Sequence, residues 1–352
     1  MEKIISIIIP SFNMEDYLPR CIDSLLIPDL GKVEILVVND GSTDRTSAIA
    51  HAYQRRYPGS VTVIDKENGN YGSCINVALR QATGKYVKIL DADDFFNTDD
   101  FQAYVRKLET IDADTIITNF TVRNHQNPSA AALHDFVLPA ENPVALRRIM
   151  KLTAVPWMHS ITYRRRLLTD INYRQTEGIS YSDNEWCFLP LGMSHTFYYL
   201  PLNIYQYVIG REGQTVSPES MKKDNSHFLI LTESLINTLE RAKPRLNPEQ
   251  LSFLNRSLSG IYWSVATRVI RSCNPEMIDE FKAYDQSLRF THKDYYTQFG
   301  QYYPYTPWPI ILKWRQSSYR IGYRVPIVIR IINTIHFRLV RAVKTRRFFA
   351  PN

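Results

Sequence analysis

Five short runs rich in β-branched residues punctuate the first 120 residues at near-regular intervals, and this spacing limits the fold more than any other feature. They span residues 4–9, 33–38, 61–64, 86–90 and 115–119. Near-continuous apolar runs of this length read as strands covered on both faces. Helical stretches separate them. Residues 17–26 carry Pro19 in the first turn, and 43–57 carry Asp44 there. Residues 73–82 close at Gly84, and 99–109 take Thr98 as their cap. Strands alternating with helices predict an α/β fold, a mostly parallel sheet flanked by helices. Ligands of such sheets sit beyond the carboxyl ends of the strands.

Three polar clusters fall at those ends: Pro10-Ser11-Phe12-Asn13, Asn39-Asp40-Gly41-Ser42 and Asp91-Ala92-Asp93-Asp94. The last places three carboxylates within four residues at the mouth of a buried strand, which is costly unless a cation neutralises them. Asp91 and Asp93, two apart, face the same way in an extended segment. Hard carboxylate oxygens suit Mg²⁺ or Mn²⁺. Asp94 points away, and its role as ligand or as turn residue stays open. Among the eight histidines no metal-ligand spacing occurs, and no P-loop or Gly-x-Ser-x-Gly pattern is present.

The 352 residues suffice for one large domain with an appendix, and 44% hydrophobic content is that of a chain with a core. Four cysteines, far apart and without a CxxC pair, argue against a disulfide framework and for a reducing compartment. The apolar run after Met-Glu-Lys stops at Pro10, too short for a signal peptide. No window of about 18 apolar residues marks a membrane span.

Residues 120–215 are mixed. A loop lies at 124–132, a helix is expected at 143–152, and a strand at 201–207. A helical pattern runs from about 220 to 290. The charge is uneven: residues 295–352 hold ten Lys or Arg and no acid, which leaves the first 294 at −3 within a net +7. From Pro326 the residues Val328, Ile332, Ile335, Leu339 and Val343 share one helical face, with Arg330, Arg338, Arg341 and Lys344 opposite. This basic amphipathic tail is expected to meet an anionic membrane surface through residues 324–347. Packing of the same apolar face on the body is the alternative. No nucleic-acid partner is expected.

Ile-Ile-Pro-Ser-Phe-Asn, Val-Val-Asn-Asp-Gly-Ser-Thr-Asp-Arg-Thr and Gly-Lys-Tyr-Val-Lys-Ile-Leu-Asp-Ala-Asp-Asp, in this order and spacing, resemble the family 2 glycosyltransferases of the GT-A fold, bacterial surface-polysaccharide type. The resemblance covers residues 4–215, more weakly after 120. It implies a Rossmann-like catalytic domain over 1–219, with a nucleotide half (1–120) and an acceptor half (121–219). A helical extension over 220–300 and the tail over 301–352 would follow. It implies a nucleotide-sugar donor, UDP-linked, and a saccharide or lipid-linked acceptor; the basic tail would hold the protein in the cytoplasm, peripheral on the inner face of the plasma membrane. Asp40 would contact uracil or ribose, although Asp40 and Ser42 also suit a plain helix cap. Pro10, Phe12 and Asn13 would wall the nucleotide. Ser73 lies in the loop region facing the same edge, where Ser-Cys-Ile-Asn76 departs from the family's usual Ala-Arg-Asn. Asp91 and Ala92 would meet the nucleotide, and Asp93, with Asp91, the metal. Arg211 and Gln214 would belong to a lid near the diphosphate, or to a solvated loop. The acidic motif beneath the acceptor would be Tyr181-Ser182-Asp183-Asn184-Glu185-Trp186, with Asp183 as the base and Glu185 the second candidate. Trp157, His159, Tyr181 and Trp186 would form an acceptor platform or belong to the core. A sugar-phosphate nucleotidyltransferase would need a Gly-rich basic loop where Pro-Ser-Phe-Asn stands. A non-catalytic membrane adaptor is at odds with the intact acidic residues.

Overall fold

A computed structural model describes residues 2–127, 130–152, 156–211, 214, 225–301 and 308–324. The expected amphipathic segment from Pro326 and most of the expected lid lie outside the described residues. The chain forms two compact units, the first Met1–Leu254 and the second beginning at Asn255. The helix Asn225–Ala242, expected as the start of a separate extension, lies in the first unit.

The β-branched runs form β1 (Ile5–Ser11), β2 (Val33–Asp40), β3 (Val61–Lys66) and β4 (Tyr86–Ile89), and the fifth forms β6 (Thr115–Asn124) after the short β5 (Phe95–Phe96). β7 (Ala131–His134), β8 (Pro143–Val144), β9 (Ile161–Arg164) and β10 (Phe197–Ile209) complete one ten-stranded sheet. Its main path is β3-β2-β1-β4-β9-β6-β10-β5. β1 to β4 pair in parallel, as do β6 and β10. β9 enters antiparallel between β4 and β6, so the two parallel groups join through a reversed strand. The four intervening helices are α1 (Leu18–Asp23), α2 (Thr46–Arg56), α3 (Asn70–Gln81) and α4 (Thr98–Leu108). Helix α4 is capped by Asn97, which accepts from the Asp100 N–H, and not by Thr98. The expected helix at 143–152 shortens to Leu146–Met150, after β8.

The inward faces of β1 and β2 are almost wholly buried, with Ile5, Ile7, Ile9, Val33, Ile35 and Val37 at 3% exposure or less. Two register shifts interrupt β10 between Leu200 and Tyr205. Pro201, which has no N–H to donate, sits at this bulge, the kind of device that re-aims the side chains beyond it. Lys88 on β4 is fully buried, and its Nζ donates to the carbonyls of His159 (2.8 Å) and Ile161 (3.1 Å). No helix among the described residues is long and apolar enough to cross a membrane.

In the second unit, Asp285 on the helix Pro275–Thr291 is fully buried. It accepts from Arg315 Nε (2.8 Å) and Nη2 (2.6 Å), from Tyr319 (2.6 Å) and from Tyr262. The Arg315 guanidinium lies 3.6 Å over the Tyr296 ring. One charge of the basic C-terminal region is therefore spent on an internal ion pair. Removing one partner strands the other charge, so Asp285→Ala should cost about 3–5 kcal/mol; a denaturant midpoint equal to the parent's would contradict this.

Burial pulls the Lys88 ammonium from its ordinary 10.5 down to about 7. The folded chain thus holds this proton less tightly than the unfolded chain, and the resulting penalty, complete below pH 7, fades as pH rises toward 10.5. Relative to Lys88→Met, the parent should gain melting temperature between pH 7 and pH 9.5. A pH-independent difference in thermal melts would refute the assignment.

Candidate functional site

The polar clusters meet at one edge of the sheet, held by side chains reaching between neighbouring strand ends. Asn13 takes a positive φ of 53° after β1. Its Oδ1 accepts from the Thr43 N–H (2.9 Å), and its own N–H donates to Ser42 Oγ (3.0 Å). Gly41, at φ 73°, lets the chain turn where a Cβ would lie 3.0 Å from the Asn68 nitrogen. Asp40 is 3% exposed, and its Oδ1 accepts from Lys66 Nζ (2.6 Å) and from the Gly69 N–H (3.0 Å). Phe12 is 45% exposed, and Pro10 is half-buried. Ser73 is buried, its hydroxyl donating to the Asn70 carbonyl (2.7 Å).

The three carboxylates after β4 have separate surroundings. Asp94 is buried, accepting from the Tyr205 hydroxyl (2.7 Å) and the Val208 N–H (2.7 Å). It fastens the motif to β10. Ala92 is buried too. Asp91 and Asp93 are half-buried. Asp91 Oδ1 accepts from Tyr71 (2.9 Å), and Asp93 Oδ2 from Arg211 Nε (2.6 Å) and Gln214 Nε2 (3.2 Å). Burial, then the neighbouring Asp93 charge, pushes the Asp91 carboxyl up to about 7. The Asp183 charge is a smaller contributor to the same rise.

These donors fit a hard divalent cation, because positive charge would relieve the strain on Asp91, and the Arg211 guanidinium already stands against Asp93 as a cation. Ligand atoms of Asp91, Asp94 and His159 also lie within 4.8 Å of one another. Each Asp94 oxygen also accepts a hydrogen bond, from Tyr205 and from the Val208 N–H.

Asp183 and Glu185 share the short helix Asp183–Trp186 and diverge in role. Glu185 is 6% exposed and accepts from the Thr176 N–H (2.6 Å), Thr176 Oγ1 (2.7 Å) and Ser234 Oγ (2.7 Å). It is a buried tie, not a base facing solvent. Asp183 is half-buried, its carboxyl raised chiefly by burial, and its charge acts on both Asp91 and Tyr71. Thr176 belongs to a segment gripped by α3. Asn76 Nδ2 donates to the Gln175 carbonyl (2.9 Å) and to Glu177 Oε1 (2.8 Å), and the Gln175 N–H donates to Asn76 Oδ1 (2.9 Å). Asn76 is thus a clamp between the two halves of the unit.

The aromatic platform divides. Trp186 is fully buried against Tyr163 and Tyr173, and His159 is 7% exposed between Tyr207 and Phe120; both rings are core. Trp157 is 46% exposed beside Phe120, and Tyr181, half-buried, stacks on Phe228 at 4.0 Å. Tyr71, Tyr205 and Lys66 escaped the sequence reading, because only the packing of α3 against the strand ends and the pairing of the strands show that they reach the acidic residues.

Residues 6–171 match the sequence profile of Glycosyl transferase family 2. The chain is 28% identical over 188 residues to the uncharacterized glycosyltransferase EpsJ of Bacillus subtilis (strain 168), covering 52% of this chain and 54% of that protein. It is 28% identical over 235 residues to a hyaluronan synthase of Pasteurella multocida, covering 66% of this chain and 23% of that protein. The chain thus spans about half of the first relative's length and less than a quarter of the second's. Among solved structures it resembles S. aureus TarS 1–349 in complex with UDP-GlcNAc, with a TM-score of 0.60 and 19% identity over 90% of this chain and 92% of that one. The fold is GT-A.

Glu185→Gln keeps the shape but weakens charge-assisted bonds, and should cost about 1–3 kcal/mol. Unchanged thermal stability would show that the Thr176 and Ser234 bonds carry no weight.

Proposed function

We propose that this chain, whose residues 6–171 match the profile of Glycosyl transferase family 2, moves a sugar from a nucleotide-sugar to a saccharide or lipid-linked saccharide acceptor in surface-polysaccharide synthesis. The observation that supports this reading is that the Asp183 charge acts on both Asp91 and Tyr71, while the Tyr71 hydroxyl donates to Asp91 Oδ1 at 2.9 Å. In this reading Asp91 and Asp93 serve the diphosphate, and Asp183 serves proton removal. The UDP-GlcNAc held by TarS supports a UDP-sugar as the donor class.

In this reading Pro10, Phe12 and Asn13 wall the nucleotide, and Asp40 contacts its base or ribose while sharing its carboxylate with Lys66. Asp91 and Asp93 hold Mn²⁺ or Mg²⁺, which when bound offsets charge on the departing diphosphate. Arg211 turns from Asp93 to a phosphate oxygen, exchanging one charge-assisted bond for another. Asp183 takes the proton of the acceptor hydroxyl as it attacks the anomeric carbon. Burial raises its carboxyl, which makes it a stronger base than an exposed aspartate. Attack and departure are in line, so a single displacement inverts the anomeric configuration and leaves no covalent intermediate.

Asp183→Asn should bind UDP as the parent does while donor turnover falls by about 10²-fold or more. Calorimetry for binding and nucleotide release for turnover separate the two. Parent-like turnover in Asp183→Asn would remove the base from this position.

A further inference from the structure

Beyond its bulge, β10 turns two tyrosines to one face, since residues two apart on a strand share a side. The first, Tyr205, is committed: its hydroxyl donates to Asp94 and accepts from the Asp91 N–H at 3.1 Å. The second, Tyr207, stacks its ring on His159 with centroids 4.1 Å apart and planes 29° from parallel. The next residue's N–H is the one bound to Asp94. Tyr207 is half-buried, and among the described residues its hydroxyl has no hydrogen-bond partner. After burial, the charges that act on this phenol are those of Asp94, Asp91, Asp93 and Asp183, which together raise its pKa. The hydroxyl therefore keeps its proton at neutral pH, and the ring that carries it lies against His159, whose ligand atom is within 4.8 Å of those of Asp91 and Asp94.

We propose that Tyr207 is a specificity-determining residue whose hydroxyl hydrogen-bonds a hydroxyl of the sugar being transferred. The proposal rests on the glycosyl-transfer reading above and names a sugar contact within that site. A phenol both donates and accepts, so it can meet a sugar hydroxyl in either sense. Its ring is already held by His159, so little rotamer freedom is lost on binding. In that reading the nucleotide meets Pro10, Phe12, Asn13 and Asp40, and the contact should therefore distinguish a nucleotide-sugar from the bare nucleotide.

The test is calorimetric binding of UDP, UDP-glucose, UDP-galactose and UDP-GlcNAc, with Mn²⁺, to the parent and to Tyr207→Phe, which keeps the ring on His159. UDP affinity should stay within about twofold, while the UDP-sugar that the parent binds best should weaken about five- to tenfold. Equal changes for UDP and every UDP-sugar, including none, would overturn the proposal. Absence of UDP binding in the parent would instead overturn the glycosyl-transfer reading, and this contact with it.

Discussion

The site depends on one buried carboxylate, Asp94, that ties two distant strands together. Asp94 accepts from Tyr205 and from the Val208 N–H, and so ties the turn after β4 to a strand more than a hundred residues away. Burial alone, and then the charges of Asp93 and Asp91, drive its carboxyl well above the ordinary range. The two hydrogen bonds work against that shift. With Asp94 pinned, Arg211 and Gln214 beyond the end of β10 reach Asp93. The three acids thus divide into one buried anchor and two half-buried carboxylates.

A second set of ties brings the opposite wall to this turn. Asn76 on α3 grips residues 175 and 177, and Thr176 between them is bound by Glu185. Gly72 lies so near the Thr176 carbonyl that a Cβ would sit 2.1 Å from its oxygen. Tyr71, one residue earlier, binds Asp91. The acid-bearing turn at Asp183 and the metal-suited turn at Asp91 are therefore spaced by one short helix, α3, and the segment that it holds. Positioning of this kind contributes to rate only when both walls keep their separation.

The first four strands, their helices and the edge where the polar clusters meet were legible in the sequence, because buried parallel strands write themselves as unbroken β-branched runs. The reversed β9 was not, since four residues of ordinary composition gain a strand's identity only from partners on both sides. Trp186 and His159 illustrate the same limit: an aromatic ring near a motif reads alike whether it faces a ligand or the core. Glu185 and Asp183, two residues apart, are indistinguishable by type, and only the bonds from Thr176 and Ser234 separate them. In Ser-Cys-Ile-Asn76, which departs from the family's usual Ala-Arg-Asn ahead of the shared Asn, only the structure shows that Asn76 grips residues 175 and 177.

The central claim is that the Asp91-Ala92-Asp93 turn handles the diphosphate of a sugar donor with a divalent cation. Release of nucleoside diphosphate from a panel of UDP-, GDP- and dTDP-sugars, with Mn²⁺ and then with chelator, tests it most directly. The account predicts release from at least one UDP-sugar, lost with chelator and lost in Asp93→Ala. Release that survives both treatments, or none from any sugar on the panel, would contradict it.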